Sequence, residues 1–457
     1  MKMKKRVLVA VAALCLFFIV FQISVSSTSR FLNNAAFPAK STQETTRGES
    51  NLISKQVHHP LTSLQLPLKS SIICDRSSIR YDFCSINVPT VLDPTTSTFF
   101  TMSSVPSPLV ERIRPYPRKF EDVIMAHIKN LTLTAAPRSP LCRVQHNAPA
   151  LVFAASGYTG NFWHDFNDGF IPLFITANTI FPDQDFVIVV SEAPKWWPSK
   201  YADLLRMFTK HPIITMGNDT TTHCFPSANL GLITHGFMTI NQTLIPNSKT
   251  YMHFRGLLDK AYNKQAQDQR FTSKPTNPRP RLVLASRRHA TGRTVMNQAQ
   301  VIRLIKKAGF DVIVFEPKAN TSLYESYTLL NSSHAFVGVH GAALTHSLFL
   351  RPGSVFVQVV PIGLGWAANA FFGRVAKGLN LEYFEYKIGV EESSLVDKYG
   401  NDSLLLRDPF ALQKTGWPTE VMNIYLKEQN VKLDLVRFKG YLKKAYKKAK
   451  KFMDNNG

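Results

Sequence analysis

The sequence predicts an α/β fold in which two parallel sheets are each covered by helices on both faces. Two series of short apolar runs alternate with longer helical patterns, and the proline-rich residues 274–280 separate the two series. Strands that alternate with helices pair in parallel and are buried on both faces. We therefore expect two Rossmann-like domains that face each other across a cleft, with ligands beyond the carboxyl ends of the strands.

The first series lies between residues 151 and 234. Its short apolar runs have the length of strands, and its longer segments have the length and spacing of helices. Prolines interrupt residues 71–148, for which we expect irregular structure. The predicted strands are 151–156, 186–190, 213–216 and 230–234, and the predicted helices are 161–180 and 201–208.

The second series begins directly after the proline-rich segment. Beyond it, residues 432–451 combine nine Lys or Arg with one acid and predict a surface helix with a solvated, lysine-rich face. The predicted strands of the second series are 281–286, 311–315, 335–339 and 354–360, and the predicted helices are 297–308, 322–330, 343–350 and 370–379.

The N-terminus predicts a membrane anchor. Basic residues within 2–6 precede the uncharged apolar run 7–25, whose length is near the ~20 residues needed to cross a bilayer. Positive charge ahead of the run keeps the tail 1–6 cytoplasmic and places the rest of the chain in the lumen. A cleaved signal peptide is the alternative, because small residues follow the run. Residues 26–70 are polar without apolar periodicity and predict a flexible stem.

The composition is that of a folded protein with basic surfaces. The 457 residues are 44% hydrophobic and 19% charged, with a formal net charge of +23. Basic surfaces attract nucleic acid, anionic membranes or acidic polysaccharides, and entry into the secretory pathway excludes nucleic acid. An even number of luminal cysteines predicts two disulfides in one of three connectivities. The cysteines are Cys74, Cys84, Cys142 and Cys224, and sequons for N-glycosylation lie at Asn130, Asn218, Asn241, Asn320, Asn331 and Asn401.

The most informative segment is the turn that follows the predicted strand 335–339. It reads His340-Gly341-Ala342 and leads into an apolar, periodic segment. Small residues leave backbone N–H groups open at a helix N-terminus, where a phosphate binds. His340 and Thr345 add polar side chains beside the same place. The alternative is an ordinary tight turn of an α/β protein.

A second polar group opens the predicted helix 161–180. His164 and Asp168 are four residues apart and therefore share one helix face. A carboxylate beside an imidazole fixes its tautomer and stabilises its protonated form. Such a pair suits a general base that activates an acceptor hydroxyl. Asp165 is a second candidate for this role, and helix capping is the alternative role for His164.

A basic segment follows the first predicted strand of the second series. It contains Arg287, Arg288 and Arg293. Arginine binds phosphate oxygens in pairs and stays charged, so these residues are candidates for neutralising a departing diphosphate. A basic surface loop is the alternative. Near the end of the last predicted strand, Gln358 is suited either to a ribose hydroxyl or to a satisfied amide in the core.

These segments resemble the sequence pattern of plant members of glycosyltransferase family 61. The resemblance spans roughly residues 71–385. It departs from the broader family at Gln358, where glutamate is frequent, although Gln358-Val-Val-Pro361 resembles the plant branch that modifies xylan. The matching positions are Asn161, His164, Asp168, Ser286, Arg287, Arg293, Asn297, His340, Gly341, Ala342, Leu344, Thr345, Phe349 and Leu350.

The resemblance implies a GT-B-like enzyme of the Golgi membrane with type II topology. In this arrangement an acceptor-side domain 71–274 is followed by a UDP-sugar-side domain 275–400 and a basic, helical tail 401–457. The implied reaction inverts the anomeric carbon, requires no metal, and transfers a pentose from UDP-arabinofuranose or UDP-xylose to the xylan backbone. Golgi complexes with other enzymes of xylan synthesis are a further expectation.

The resemblance also implies a role for each site residue. His164, oriented by Asp168, is the implied base, with Asp165 as the second candidate. The arginines at 287 and 293 are implied at the diphosphate. The implied UDP-sugar site consists of Ser286, Arg287, Arg293, Asn297, His340, Gly341, Ala342, Thr345 and Gln358, without a metal ligand.

Two other functions stay open at this point. One is a catalytically silent Golgi scaffold that keeps the fold, and the other is transfer to protein N-glycans, which other members of the family modify. Arabinofuranose and xylose differ in ring form and hydroxyl placement rather than in charge. The sequence therefore does not distinguish the two donor sugars.

Overall fold

The computed structural model describes residues 71–102, 109–136, 138–267, 279–287, 291–413 and 418–456. The predicted cytoplasmic tail, membrane anchor and stem lie outside these residues, as do Arg288, His289 and most of the linker 274–280. Within the described residues, no helix is both long enough and apolar enough to span a membrane. Residues 69–457 form one compact unit, whose first lobe ends at residue 267 and whose second lobe begins at residue 279.

The strands of the described chain form three sheets. In chain order they are β1 Ile72–Asp75, β2 Phe83–Ile86, β3 Thr90–Asp93, β4 Thr98–Met102, β5 Leu109–Ile113, β6 Leu131–Ala136, β7 Val144–Gln145, β8 Ala150–Phe153, β9 Val187–Val190, β10 Ile214–Thr215, β11 His223–Phe225, β12 Ala228–Leu230, β13 Arg281–Ala285, β14 Asp311–Phe315, β15 Ala335–Val339, β16 Val355–Val360 and β17 Glu382–Lys387.

The first sheet has the strand order β1-β2-β12-β8-β9-β10. Strands β12, β8, β9 and β10 are parallel, and the antiparallel strands β2 and β1 extend one edge. Every residue of β8 and β9 is buried, which is why both sequences are continuous apolar runs. The strand predicted at 230–234 ends earlier, at Leu230. Gly231 then turns the chain with φ 108°, and a Cβ atom there would collide with the backbone of Asp82.

Residues 71–148, for which prolines predicted irregular structure, instead supply strands to two sheets. Besides β1 and β2, they form most of the second sheet, whose order is β5-β6-β4-β3-β11-β7. The prediction is wrong because the prolines of this range that the structure describes fall between strands rather than within them; they are Pro89, Pro94, Pro115, Pro117 and Pro140. In β6 the residues Leu131, Leu133 and Ala135 are buried and alternate with half-buried positions. This alternation is the pattern of a strand with one covered face.

The third sheet is parallel throughout and has the order β14-β13-β15-β16-β17. Its strands β14 and β15 coincide with the predicted strands, and β13 and β16 differ from the predictions by one residue. The sequence analysis did not include β17, which carries charged residues at the edge of the sheet. Charges on an edge strand are common because they oppose pairing with another chain.

Helices alternate with the strands in both lobes. The predicted helix 161–180 is a continuous helical segment whose residues Asp165–Phe170 form a π-helix. The predicted helix 343–350 is a 3₁₀-helix, Ala342–Phe349. The α-helices are α1 Asp122–Met125, α2 Phe162–His164, α3 Ile171–Ile180, α4 Trp197–Lys200, α5 Ala202–Leu205, α6 Tyr251–Gln267, α7 Gln298–Lys307, α8 Leu323–Asn331, α9 Gly365–Ala368, α10 Arg374–Gly378, α11 Leu395–Tyr399, α12 Leu404–Arg407, α13 Pro409–Gln413, α14 Thr419–Asn423 and α15 Leu435–Asn456. The other helical turns are 3₁₀-helices at Met216–Asn218, Gln242–Leu244, Pro246–Ser248 and Val390–Glu392, and π-helices at Asn369–Gly373 and Ile424–Glu428.

The two lobes share one apolar core. The rings of Phe166 in the first lobe and Phe349 in the second have centroids 6.5 Å apart and belong to the same buried cluster. The buried Arg255 of α6 donates from Nε to the carbonyl oxygen of Leu350 at 2.9 Å. It also donates from Nη2 to Oδ1 of Asn331 at 2.6 Å. The interface is therefore both packed and hydrogen-bonded.

The basic C-terminal segment forms helix α15, which covers the third sheet. Its residues Phe438, Leu442, Ala445 and Ala449 are buried in the same core cluster as the strands. Their spacing of three and four residues places them on one helix face. Most of the lysines of α15 lie on the exposed side. The helix thus stabilises the second lobe through its apolar face.

Two disulfides lie in the first lobe and resolve the connectivity that the sequence left open. They join Cys74 to Cys84 and Cys142 to Cys224. Of the predicted glycosylation sites, Asn331 is half-buried and accepts the hydrogen bond from Arg255. The exposed sequon asparagines are Asn130, Asn218, Asn241, Asn320 and Asn401.

Truncation of Phe438 tests the role of α15 in stability. Phe438 is fully buried, and its ring lies 5.0 Å from that of Tyr386. We expect Phe438→Ala to lower the free energy of unfolding by about 3–5 kcal/mol, since the truncation leaves a cavity. Val436→Ala on the same helix, at a residue that is 84% exposed, should change it by less than about 0.5 kcal/mol. Equal denaturation curves for the two variants would contradict this role.

Candidate active site

A cavity of about 560 Å³ lies between the two lobes, at the carboxyl ends of β13, β14 and β15. Parallel α/β sheets bind their ligands at this edge. The lobes approach each other here, because Nζ of Lys200 donates to the carbonyl oxygen of Ala319 at 3.1 Å. The lining includes Gly160, Asn161, Phe162 and Lys200 of the first lobe, and Ser286, Arg287, Glu316, Ala342, Ala343 and His346 of the second.

Two arginines converge on the turn that follows β15. A Cβ atom placed on Gly341 would lie 2.8 Å from Nη1 of Arg287 and 3.1 Å from Nη1 of Arg293. Burial lowers the pKa of Arg287, and burial together with the charge of Arg287 lowers the pKa of Arg293 to about 9. Among the described residues neither guanidinium has a carboxylate partner, and the buried Nε of Arg287 has no acceptor. Two half-buried like charges without an acid favour an anion between them.

The C-terminal segment and the turn itself hold Arg293 in place. Nε of Arg293 donates to the carbonyl oxygen of Leu426 at 2.9 Å, and Nη1 donates to that of His340 at 3.1 Å. Asn297, which the sequence placed at the UDP-sugar, exchanges two hydrogen bonds with the backbone of Leu433, at 2.8 and 3.0 Å. Both ends of its amide are thus used within the fold. Asn297 fastens the C-terminal segment instead of facing a ligand.

His340 lies buried beneath the turn in its neutral form. Burial, then the charges of Arg293 and Arg287, lower the pKa of His340 to about 3. The amide oxygen of Gln358 accepts from the hydroxyl of Tyr383 at 2.6 Å, so its Nε2 donates to Nδ1 of His340 at 2.8 Å. This bond assigns the imidazole proton to Nε2. Gln358, predicted to bind ribose, is in this structure a satisfied core amide that orients His340.

The other predicted residues of the second lobe differ in their access to the cavity. Ala342 and Ser286 line it, and the hydroxyl of Ser286 donates to Oε1 of Gln298 at 3.1 Å. Thr345 is buried, and its hydroxyl has no hydrogen-bond partner among the described residues. Arg287 and Ala342 are therefore the predicted residues that combine access to the cavity with groups unused by the fold.

His164 of the first lobe belongs to a buried polar network around Asp168. Nδ1 of His164 lies 2.8 Å from Oδ2 of Asp168, and Nε of Arg118 donates to Oδ1 of the same carboxylate at 2.9 Å. The hydroxyl of Tyr116 donates to Oδ2 at 3.0 Å. Burial opposes ionisation, yet the bond from His164 and the charge of Arg118 hold the pKa of Asp168 below its usual range. Two groups face Nδ1 of His164, because Nη2 of Arg118 lies 3.0 Å from it and Oδ2 of Asp168 lies closer, at 2.8 Å. With the proton on Nδ1, His164 donates to the ionised Asp168, and Nε2 is then the basic nitrogen.

Asp165, the second candidate for the base, is held on a different set of partners. Its Oδ2 accepts from the hydroxyl of Tyr201 at 2.7 Å, and its Oδ1 accepts from the backbone N–H of Gly160 at 3.1 Å. Burial raises the pKa of Asp165. The carboxylate fastens the loop before α2 to the turn between α4 and α5 that carries Tyr201, which leaves His164 as the stronger candidate.

A short segment connects His164 to the cavity and to the second lobe. Phe162, which lines the cavity, stacks on His346 with ring centroids 4.1 Å apart. The ring centroids of Trp163 and Phe371 are 4.4 Å apart, and those of Phe371 and His340 are 6.0 Å apart. His164 itself follows directly and lies beside the cavity rather than in its lining. The π-helix that begins at the next residue is a feature often found at functional sites.

Several site residues escaped the sequence analysis. Arg118 and Tyr116 lie in the proline-rich segment that predicted irregular structure, and they reach Asp168 from 50 and 52 residues away. No local pattern indicates such a contact. Glu316 and His346 could have been predicted as site residues, because each comes after a predicted strand of the second series, at the edge of the sheet where ligands bind.

Buried histidines of the second lobe predict how stability changes with pH. Burial is the main cause that lowers the pKa of His340 to about 3, and of His346 and His334 to about 4. In the unfolded chain these side chains take up protons near pH 6.5, whereas the folded chain stays neutral there. The free energy of unfolding should therefore fall as the pH falls from about 6.5 to about 4.

His346→Asn removes one of these groups and retains a donor for the carbonyl oxygen of Ala343, which now accepts from Nδ1. We expect a shallower pH dependence for this variant in urea denaturation between pH 7 and pH 4. His127→Asn, at an exposed histidine, is the control, and its free energy of unfolding should depend on pH as that of the wild type does. An unchanged slope in His346→Asn would contradict the assignment.

Known proteins match the chain over the region just described. The sequence model of the Glycosyltransferase 61 family matches residues 162–357, which include His164, Arg287 and Gly341. The chain is 38% identical to the xylan glycosyltransferase MUCI21 of Arabidopsis thaliana, over 88% of this chain and 84% of that protein.

Two rice relatives are more distant. From Oryza sativa subsp. japonica, the alpha-1,3-arabinosyltransferase XAT3 is 32% identical, over 82% of this chain and 65% of that protein. The beta-1,2-xylosyltransferase XAX1 of the same organism is 34% identical, over 73% of this chain and 59% of that protein. On the strength of these matches, the chain belongs to glycosyltransferase family 61.

Proposed function

We propose that the protein is an inverting glycosyltransferase that transfers a pentose from a UDP-sugar to the xylan backbone. The observation that carries the proposal is the pair Arg287 and Arg293, which lies without a carboxylate at the Gly341 turn beside the cavity. The imidazole–carboxylate pair of the first lobe supplies a base. The similarity to relatives named for xylan, arabinosyl and xylosyl transfer supports the choice of acceptor and of sugar class.

The proposed donor site lies in the second lobe. The diphosphate is held by the two guanidiniums and by the backbone at the start of the 3₁₀-helix, where Gly341 and Ala342 leave room for it. Charge develops on the diphosphate as the sugar departs, and fixed cations in a buried site stabilise that charge. We propose that the arginines supply this charge without a metal. The proposal includes both UDP-arabinofuranose and UDP-xylose as donor substrates.

The proposed base lies in the first lobe. Nε2 of His164 takes the proton of an acceptor hydroxyl as the oxygen bonds to the anomeric carbon, and the bond from that carbon to the diphosphate breaks. UDP leaves on the opposite side, so one displacement inverts the anomeric configuration. The ionised Asp168 stabilises the imidazolium that forms and keeps the ring oriented.

The proposed architecture is GT-B-like, with donor and acceptor bound between the two lobes. We also propose a Golgi location, with a type II anchor at residues 7–25 and the body in the lumen. The disulfides Cys74–Cys84 and Cys142–Cys224 support a secretory compartment, because disulfides persist where the environment is oxidising.

Removal of the proposed base tests whether the first lobe supplies the proton acceptor while the second lobe binds UDP. We expect His164→Ala to lower kcat for transfer from a UDP-pentose to xylo-oligosaccharide by a factor of roughly 10²–10⁴. UDP affinity, measured by calorimetry, should stay unchanged, because His164 lies on the other lobe. His127→Ala, at an exposed histidine of the same lobe, is the matched control and should retain activity. Wild-type turnover in His164→Ala would remove it from the base role.

A methyl group at the turn tests the donor site. In Gly341→Ala the new Cβ atom would lie 2.8 Å from Nη1 of Arg287. The flexible end of that side chain must move away, and the turn must leave its φ of 157°, which residues with a side chain rarely adopt. Because both changes disturb the donor site, we expect UDP affinity to fall roughly 10–150-fold, the equivalent of one charged hydrogen bond, and thermal unfolding measured in parallel checks that the variant folds.

Gly440→Ala, at a helix position with open space around the new Cβ atom, is the control and should bind UDP like the wild type. The same titrations separate the enzyme from a silent scaffold, since a scaffold has no need of UDP. Unaltered UDP affinity in Gly341→Ala would contradict the donor site.

A further inference from the structure

A group of aromatic side chains lies on the surface beside His164 and has no role in the donor site. Phe120 and Phe237 come from the first lobe, and Trp366 and Phe371 come from the second. Phe120 is 45% exposed and Trp366 is 55% exposed. Single exposed rings are common, whereas a contiguous exposed apolar patch often marks a place where something binds. We call this group, together with Arg80, the aromatic surface.

The rings of the aromatic surface form a continuous patch across both lobes. The centroid of Phe237 lies 5.9 Å from that of Trp366 and 5.5 Å from that of Phe371. Trp366 and Phe371 are 5.8 Å apart, and Phe120 lies 6.2 Å from Phe237. A ligand that covers these rings therefore contacts both lobes at once.

Arg80 adds hydrogen-bond donors to the patch. Its guanidinium carbon lies 5.1 Å from the ring centroid of Phe237 and 5.7 Å from that of Phe120. Among the described residues, this half-buried side chain has no carboxylate partner and no hydrogen-bond acceptor. Stacked arginines keep their N–H groups available at the edge of the ring. The patch thus combines apolar faces with unused donors.

The aromatic surface is continuous with the proposed base. The guanidinium carbon of Arg118 lies 5.5 Å from the ring centroid of Phe237, and its Nη2 lies 3.0 Å from Nδ1 of His164. The ring centroid of Trp163, the neighbour of His164, lies 4.4 Å from that of Phe371. These two buried side chains connect the patch to the imidazole, whose own side chain is 16% exposed and thus open to a ligand beside the patch.

We propose that the aromatic surface binds the acceptor, a neutral chain of β-linked pentoses, and presents its hydroxyl to His164. This inference rests on the proposed function, which requires the acceptor to lie at the base. A pyranose ring has an apolar C–H face and a rim of hydroxyl and ether oxygens. The faces stack on Trp366 and Phe120, and the rim accepts from Arg80. An apolar protein segment would leave the donors of Arg80 unmatched, which is unfavourable.

The test compares variants of the full-length chain with xylohexaose as the probe. We expect Trp366→Ala and Phe120→Ala to raise KM for xylohexaose roughly tenfold, as truncation of an aromatic anchor does in other interfaces. Trp366→Phe, which keeps a ring, should restore most of the affinity. UDP affinity should be unchanged in all three variants, which also shows that they fold. Phe410→Ala, at a phenylalanine that is 72% exposed elsewhere on the second lobe, is the matched control.

The outcomes separate this inference from the proposed function. An unchanged KM in Trp366→Ala and Phe120→Ala would overturn the inference while leaving the transferase intact. If the wild type transfers no pentose, the proposed function fails, and direct calorimetric titration with xylohexaose then decides. Binding that disappears in Trp366→Ala would still support the aromatic surface. Absence of binding to the wild type, or binding of an apolar peptide in its place, would overturn it.

Discussion

The site depends on two half-buried arginines that have no acid to balance them among the described residues. Arg287 and Arg293 approach the same glycine, and like charges in a buried place repel each other unless an anion lies between them. The fold accepts this arrangement because the C-terminal segment holds Arg293 through the carbonyl of Leu426, and because Asn297 fastens that segment. In the proposed function a donor with a diphosphate would relieve this repulsion, so that its binding would also neutralise the two charges.

The buried charge of the first lobe is negative instead. The carboxylate of Asp168 stays ionised there because Arg118, Tyr116 and His164 all hydrogen-bond to it. The imidazole is thereby held in one tautomer. Contacts of Phe162 with His346 and of Trp163 with Phe371 join this network to the second lobe. The proposed base and the arginines therefore belong to one continuous structure rather than to two independent domains.

Local sequence patterns predicted the parts of this structure that depend on local physics. Strands β14 and β15 coincide with their predictions because burial on both faces leaves continuous apolar runs. Residues 71–148 were missed because short strands between prolines resemble loops. The hydrogen bonds of Asn297 to Leu433 and of Gln358 to Tyr383 became visible only in three dimensions, because these partners are distant in the sequence or on another strand. Arg118 was missed because its contacts with Asp168 and His164 span 50 and 46 residues.

Calorimetric titration of the protein with UDP and with uridine tests the role of the arginine pair most directly, because the two ligands differ only in the diphosphate. Two charge-assisted contacts of about 1.5–3 kcal/mol each correspond to an affinity for UDP that is roughly 10²–10⁴ times that for uridine. We expect this ratio, together with a decrease at high salt. Equal affinities for UDP and uridine would contradict the account.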